Sequence, residues 1–211
     1  MPGSKFVTYA VWFILLGAAL RGLFTEDYSV TFAGVGTFLL TLLPAFLGRW
    51  VKIDIPPGFA AAVAAFLCAT LFLGEVRNFY ERYWWWDIVL HTGSAVAFGL
   101  VGVILMLILV RGEKLTAAPV TVSFFGFCFA VTIGAAWEIW EFFLDQTFGM
   151  NTQKSGLIDT MWDLIVDCLG AAVGAIAGYI HLKGWRGGPL AGMIRDFVER
   201  NRRFFGKNTG A

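Results

Sequence analysis

Long apolar runs separated by short polar stretches dominate the sequence. These runs cover approximately residues 6–24, 30–48, 57–74, 87–110, 119–144 and 160–182. A helix of about 20 mostly apolar residues crosses the hydrocarbon core of a bilayer, so each run predicts one transmembrane helix. The first run could also be the core of a signal peptide, but removing it would spoil the charge distribution described below. The pattern therefore predicts an all-α integral membrane protein, a six-transmembrane-helix bundle.

A different pattern follows the last run. Apolar residues recur there at helical spacing with arginines mostly off the stripe, and the stripe consists of Leu190, Met193, Ile194, Phe197, Val198 and Phe204. This spacing predicts a basic amphipathic helix at the inner membrane surface; the alternative is a helix that docks on the protein's own loops. We therefore divide the chain into one six-helix domain, residues 1–186, and a cytoplasmic tail, residues 187–211.

Composition supports the membrane assignment. The chain has 211 residues, of which 58% are hydrophobic and 15% charged, and its net charge is +1. This balance gives no reason to expect a nucleic-acid partner. The lipid bilayer is the expected partner, and the sequence indicates no oligomeric state.

Lysine and arginine residues are distributed unequally between the two ends of the spans. Six spans place both termini on one side, which carries 12 of these residues, including Lys114, Arg186 and Lys207. The other side carries four, namely Arg21, Arg77, Arg82 and Lys154. By the positive-inside rule, we expect both termini in the cytoplasm.

Nine acidic residues then fall at the extracytoplasmic ends of spans 3 to 6. They are Glu75, Glu81, Asp87, Glu138, Glu141, Asp145, Asp159, Asp163 and Asp167. At 100° per residue, the three aspartates of span 6 share one stripe with Gly170, Gly174 and Gly178. Small residues at every fourth position are typical of a face packed against another helix. We therefore expect these aspartates to point into the bundle.

Spans 4 and 5 each carry a polar stripe as well. Asp87 and His91 share one with Ser94 and Phe98, and Gly134 shares another with Glu138, Glu141 and Asp145. Asp167 lies about 12 Å below Asp159 along its helix. A carboxylate near the bilayer centre costs on the order of 3 kcal/mol. The cluster therefore needs protons, cations or water to offset its charge.

These residues predict a metal-dependent membrane hydrolase or transferase acting on a lipid-linked substrate. The candidate catalytic residues are Asp87, His91, Glu138, Glu141, Asp163 and Asp167, and all of them except Asp87 are candidate metal ligands. Asp87 is expected to orient His91 for proton transfer. An oxygen-rich set with one imidazole favours Mg²⁺, Mn²⁺ or Ca²⁺ over structural zinc.

Two other functions are compatible with the same residues. One is a structural or accessory subunit, in which the acids, His91, Arg77 and Arg82 form a buried polar network. The other is a cation or proton transporter, although the inner halves of spans 4 and 6, "LVGVILMLILV" and "GAAVGAIAGY", continue no polar path. Ser94, as a nucleophile, and His181, at the far end of span 6, are weaker candidates for a role.

Three segments resemble known bacterial membrane proteins. "LGEVRNFYERYWWWDIVLH" from Leu73, "WEIWEFF" around Glu138 and "DTMWDLIVDCLGAAVGA" from Asp159 are similar to the YjdF-like inner-membrane family, over roughly residues 60–180. That family implies a multi-pass protein of the bacterial inner membrane but supplies no reaction. More distantly, the paired acids resemble VanZ-like proteins, associated with glycopeptide resistance. Those chains tend to carry Gln in place of Glu141 and Asn in place of Asp167.

Overall fold

The structure, a computed structural model, describes residues 2–111, 115–185 and 187–205. Every regular element in these ranges is helical. The α-helices are α1 (Pro2–Phe24), α2 (Tyr28–Trp50), α3 (Pro57–Leu67), α4 (Phe79–Arg82), α5 (Trp86–Arg111), α6 (Pro119–Phe148), α7 (Leu157–Leu182) and α8 (Pro189–Arg200). A π-helix, Cys68–Val76, continues α3, and a 3₁₀-helix, Arg202–Phe204, follows α8. Lys114, Arg186 and Lys207, which enter the charge count, lie outside the described residues.

Six of these helical segments are long and apolar enough to span a membrane, which confirms the predicted all-α membrane fold. They are Gly3–Phe24, Tyr28–Trp50, Pro57–Val76, Trp86–Arg111, Pro119–Phe148 and Leu157–Leu182. Proline at the first turn marks the start of α3, α6 and α8, where its missing N–H needs no partner. α6 ends at Gly149, whose φ of 64° lies in the left-handed region that glycine adopts readily.

Contacts divide the chain into two compact units, one ending at Trp86 and the other beginning at Asp87. In unit 1, α1 and α2 approach closely because α2 carries Gly34 where a Cβ would lie 2.9 Å from the Leu15 carbonyl oxygen. The Trp12 indole donates a hydrogen bond across this interface to Thr41 Oγ1 at 2.8 Å. The core of unit 1 is built from Val11, Leu15, Ala64, Cys68 and Phe72.

Unit 2 contains α5 to α8 and carries a larger core. Its buried residues come from α5, α6, α7 and α8, and they include Leu100, Val103, Leu107, Val122 and Ile194. α7 contacts α5 along the predicted glycine stripe: a Cβ on Gly174 would lie 2.6 Å from the Val96 carbonyl oxygen. The sequence prediction of a closely packed face on this helix is therefore confirmed.

The C-terminal helix departs from the expected membrane-surface position of its apolar stripe. Ile194 and Val198 are buried in the core of unit 2, and the other four predicted stripe residues pack against the same core. The stripe thus faces the protein rather than lipid, which is the docking alternative. The physical reason is that this stripe covers apolar side chains at the ends of α5 and α7, including Leu107 and Leu182.

Candidate metal site

α7 supplies the two most deeply placed acids of unit 2. Asp163 and Asp167 are 3% and 2% exposed, and both lie on the face of α7 that continues into the glycine stripe. At 1.5 Å per residue, Asp163 lies about 9 Å beyond the start of α7 at Leu157. Because Gly170 lets α7 approach the backbone of Thr92, the neighbouring His91 of α5 comes within reach of these carboxylates.

α6 approaches the same point through a small residue. A Cβ added at Gly134 would overlap the Asp167 carboxylate, so only glycine leaves room for that side chain here. One turn further along α6 lies Glu138, which is 4% exposed. The third helix thereby adds a third buried acid.

His91 stands at the centre of these acids. Its Nδ1 lies 3.4 Å and 3.5 Å from the two carboxylate oxygens of Asp167. Its Nε2 lies 3.7 Å from Asp87 Oδ1 and 3.9 Å from Glu138 Oε1. The His91 side chain is only 11% exposed. Both ring nitrogens therefore face carboxylates, and a single imidazole is shared by three helices.

Among the residues that the structure describes, three carboxylate oxygens of this cluster are buried and have no hydrogen-bond partner. Glu138 contributes both of its oxygens, and Asp163 contributes Oδ2. Buried polar groups in folded proteins are almost always paired, and an unpaired charged group is the most costly exception. These oxygens are therefore free to bind a positively charged group.

The spacing of the donor atoms suits a metal ion. One ligand atom each from Asp87, His91 and Asp163 can be chosen so that all three lie within 4.8 Å of one another. Two ligands of one ion bound at roughly 2.0–2.6 Å are separated by about 3–5 Å. The Nε2 distances to Asp87 and Glu138 fall in the same range. The site is oxygen-rich with one nitrogen, a donor set that suits hard divalent ions.

Asp167 is placed differently from the other acids, because it faces the opposite ring nitrogen. A histidine that binds a metal through one nitrogen commonly donates its other N–H to a carboxylate. Asp167 is positioned to accept from Nδ1 in this way, while Nε2 faces Asp87 and Glu138. The predicted ligand Asp167 thus occupies the position of an orienting residue.

Of the six predicted site residues, Glu141 is the one that belongs neither to the His91 ion pairs nor to the group formed by Asp87, His91 and Asp163. It is half-buried on α6, and its carbonyl oxygen accepts a hydrogen bond from Thr152 Oγ1 at 3.1 Å. It lies three residues after Glu138, on the same face of α6, but it makes no ion pair with His91. The site is therefore built from five of the six predicted residues.

Other residues of the predicted stripes have local roles. Ser94 Oγ donates to the His91 carbonyl at 2.9 Å, as hydroxyls on membrane helices commonly do. Phe98 is 38% exposed rather than part of an inward stripe. His181 lies at the far end of α7 from Asp163.

Asp145 organises a loop, a role that the sequence did not signal. Its carboxylate accepts hydrogen bonds from Thr152 N at 2.8 Å, from Thr152 Oγ1 at 2.6 Å and from Gln153 N at 3.0 Å. Because these donors lie in the loop between α6 and α7, Asp145 holds that connection rather than the cluster. Its acceptors are therefore already satisfied within the protein.

Comparison with known proteins agrees with the membrane fold. A family model described as predicted membrane protein (DUF2238) matches residues 6–184. A Thermotoga maritima protein described as uncharacterized is 38% identical over 100 residues, which are 46% of this chain and 50% of that relative. The chain thus spans about half the length of this curated relative. No solved structure matches.

The match covers most of the chain, including all six apolar helices. The chain therefore belongs to the DUF2238 family of predicted membrane proteins. This family agrees with the expected YjdF-like resemblance, whereas the VanZ-like resemblance stays a prediction.

Proposed function

We propose that this protein is a metal-dependent membrane enzyme, a hydrolase or transferase acting on a lipid-linked substrate. The observation that carries the proposal is the set of partnerless buried oxygens on Glu138 and Asp163, beside a histidine that faces carboxylates on both sides. Four acids and one histidine leave an excess of negative charge in a buried place. A divalent cation offsets that charge and uses the orphaned oxygens together.

Roles follow from the geometry. Asp87, His91 and Asp163 would hold the ion together with one oxygen of Glu138, and Asp167 would orient the imidazole. A bound divalent ion polarises a phosphoryl or acyl oxygen. Glu138, whose carboxylate is 3.9 Å from His91 Nε2 and otherwise unpartnered, is the residue available to accept a proton from an attacking water.

The depth of the site is the reason for proposing a lipid-linked substrate. Asp163 and Asp167 lie within the apolar span Leu157–Leu182, about 9 Å and 15 Å from its start. A substrate with a polar group on an apolar chain can bring that group to such a depth while its chain stays in lipid. Exposed tryptophans on the same helices, Trp137, Trp140 and Trp162, suit the headgroup region.

Orientation and location are part of the same proposal. With 12 Lys and Arg residues on the side of the termini against four on the other, we place both termini in the cytoplasm of a bacterial inner membrane. The cluster then opens toward the extracytoplasmic side, and the substrate arrives from the outer leaflet. This orientation is tested in a variant in which Cys68, Cys128 and Cys168 are replaced and exposed Ser155, in the α6–α7 loop, is changed to cysteine. Labelling then measures from which side of the membrane the new cysteine is accessible.

The first test measures metal in protein purified in detergent after exposure to Mg²⁺, Mn²⁺, Ca²⁺, Zn²⁺ and Fe²⁺. Elemental mass spectrometry is expected to find close to one ion per chain, and Asp163→Asn and Glu138→Gln should lose most of it. Glu199→Gln, an exposed glutamate on α8, is the matched control and should retain the ion. No bound ion in the wild-type protein under any loading condition would end the proposal.

Glu141→Gln separates the sequence prediction from the structural one. We expect this variant to keep its ion. Unlike Asp163, Glu141 is not among the residues whose ligand atoms lie within 4.8 Å of one another, and unlike Glu138 it makes no ion pair with His91. Metal loss equal to that of Glu138→Gln would show that Glu141 is a ligand. Turnover is then measured with synthetic isoprenyl diphosphates and lipid phosphates, comparing the loaded wild-type protein with Asp163→Asn.

A further inference from the structure

Unit 1 contains a cavity that the proposed metal site does not use. It has a volume of about 440 Å³ and lies between the C-terminal end of α1, the start of α2 and the π-helix. Its apolar wall includes Ala18, Val30 and Phe72, and its polar wall includes Arg21 and Arg77. Apolar and cationic surfaces therefore meet in one cavity.

Arg21 and Arg77 are both exposed, and neither guanidinium has an ion-pair partner within 4.0 Å among the residues that the structure describes. The ion pairs and hydrogen bonds found among described residues include neither guanidinium. Asp27 also lines the cavity, but its carboxylate accepts the Val30 N–H at 3.2 Å and caps α2. Two fork-shaped cations thus face one cavity, an arrangement that suits an oxyanion bound by paired N–H donors.

The π-helix explains why Arg77 reaches this cavity. The Arg77 N–H donates to the Phe72 carbonyl at 3.1 Å, an i to i+5 hydrogen bond. The i to i+5 hydrogen bond of a π-helix brings residue i+5 close to the face of residue i, whereas in an α-helix the two would be rotated apart by about 140°. Cys68–Val76 is π-helical, so Phe72 and Arg77 line the same wall. Such helices often occur at functional sites.

The positions of the two arginines along the spans indicate the chemical class of the ligand. Arg21 lies within one turn of the end of the span Gly3–Phe24, and Arg77 directly follows the span Pro57–Val76. Both therefore lie at a membrane boundary, the depth of lipid phosphates. We propose that this cavity binds a phosphate-bearing anion, with Arg21 and Arg77 on the phosphate and Phe72 and Val30 against apolar carbon.

Phosphate on a lipid and free phosphate offer the arginines the same chemistry, and the test separates the two sources. Full-length protein in detergent is titrated with dioleoyl phosphatidic acid, with dioleoylglycerol as the phosphate-free matched lipid, and with inorganic phosphate. Native mass spectrometry counts the bound molecules. The variants are the Arg21→Gln, Arg77→Gln double variant and Arg82→Gln, which removes an exposed cation outside the cavity lining.

We expect wild-type protein and Arg82→Gln to bind one phosphatidic acid in preference to dioleoylglycerol. The double variant should bind it at least tenfold more weakly, on the order of the loss of one charge-assisted hydrogen bond per arginine or more. The same pattern with inorganic phosphate and not with the lipid would support the cavity and identify free phosphate as its ligand. Equal binding by wild type and double variant, or equal loss in Arg82→Gln, overturns the proposal.

Two further variants serve as controls for this experiment. Arg21→Lys, Arg77→Lys keeps both charges but lacks the forked donors, so its binding should fall between wild type and the glutamine variant. Asp163→Asn, in unit 2, should bind phosphatidic acid as wild type does. If no metal binds to unit 2, the proposed phosphate site in unit 1 is therefore unaffected. If no phosphate binds to unit 1, the proposed metal site is likewise unaffected.

Discussion

Unit 1 and unit 2 both bury polar side chains among apolar helices, but they bury different kinds. Unit 1 buries Thr37 and Thr41, and Thr41 both accepts from Trp12 and donates to the Phe38 carbonyl at 2.6 Å. Unit 2 buries Glu138, Asp163 and Asp167. A hydroxyl can use the backbone of its own helix as a partner, whereas a carboxylate cannot accept from a backbone whose N–H groups are already bonded. The buried hydroxyl of Thr41 is therefore paired within the protein, whereas the buried carboxylates of Glu138 and Asp163 have oxygens without a hydrogen-bond partner among the described residues.

Among the described residues, the buried side-chain atoms without a hydrogen-bond partner also differ between the two units. Those in unit 1 are Thr70 Oγ1 and Trp86 Nε1, which are neutral groups, whereas those in unit 2 include three carboxylate oxygens beside Ser123 Oγ. Leaving a neutral group unpaired costs about 1–3 kcal/mol, and a charged group costs more. We therefore expect dependence on a metal ion to lie in unit 2. The following predictions test this, from the largest expected effect to the smallest.

Removing His91 should damage the protein more than removing a buried polar group of unit 1. His91→Ala leaves Asp87, Glu138 and Asp167 without their shared partner and should lower the free energy of unfolding by about 3–5 kcal/mol. Trp12→Phe removes one neutral hydrogen bond and should cost about 1 kcal/mol. Thermal unfolding in one detergent measures both. Equal losses would remove the distinction between the two units.

Divalent ions should stabilise the protein through unit 2 alone. An ion present at about 100 times its dissociation constant adds roughly 2.7 kcal/mol, and a chelator removes this gain. Asp163→Asn should unfold at the same temperature with and without the ion. Trp12→Phe serves as the control and should keep the full response. An ion effect that survives in Asp163→Asn would place binding elsewhere.

Replacing a glycine by alanine should destabilise the protein in unit 2 but stabilise it in unit 1. Gly174→Ala places a Cβ against the Val96 carbonyl of α5 and should destabilise by about 1–3 kcal/mol. Gly36→Ala on α2 meets nothing within 4 Å and should stabilise by up to about 1 kcal/mol through helix propensity. The unfolding temperatures of the two variants, each compared with the wild-type protein, test both expectations. A stabilising Gly174→Ala would mean that α5 and α7 are less closely packed than described.

Each unit also has an acid with a local task, and these should matter least. Asp145→Asn weakens the hydrogen bonds to Thr152 and Gln153 and should increase hydrogen exchange in residues 149–156 without changing metal content. Asp27→Asn removes charge from a single-bond helix cap and should have a smaller local effect on α2. Loss of metal in Asp145→Asn would show that the loop supports the site.

Much of the fold could be predicted because hydropathy and small-residue spacing are local signals. The six spans, the amphipathic C-terminal helix and the packed glycine face of α7 were all readable from the sequence. The exposure of Cys128 on α6 was not readable, because this residue lies within an apolar run. Apolar surroundings in sequence do not distinguish a lipid-facing position from a core position, because both are apolar.

The sequence by itself determined which residue types meet at the candidate site, since helical periodicity places Asp87, His91, Glu138, Asp163 and Asp167 on inward stripes. Only the tertiary structure decided their roles. It set Asp167 against Nδ1 and set Asp87 and Glu138 toward Nε2, and it turned the tail stripe inward. It also placed Phe72 and Arg77 on one wall through a π-helix. Periodicity specifies a direction around one helix axis, but distances between helices depend on which side chains leave room, as Gly134 does for Asp167.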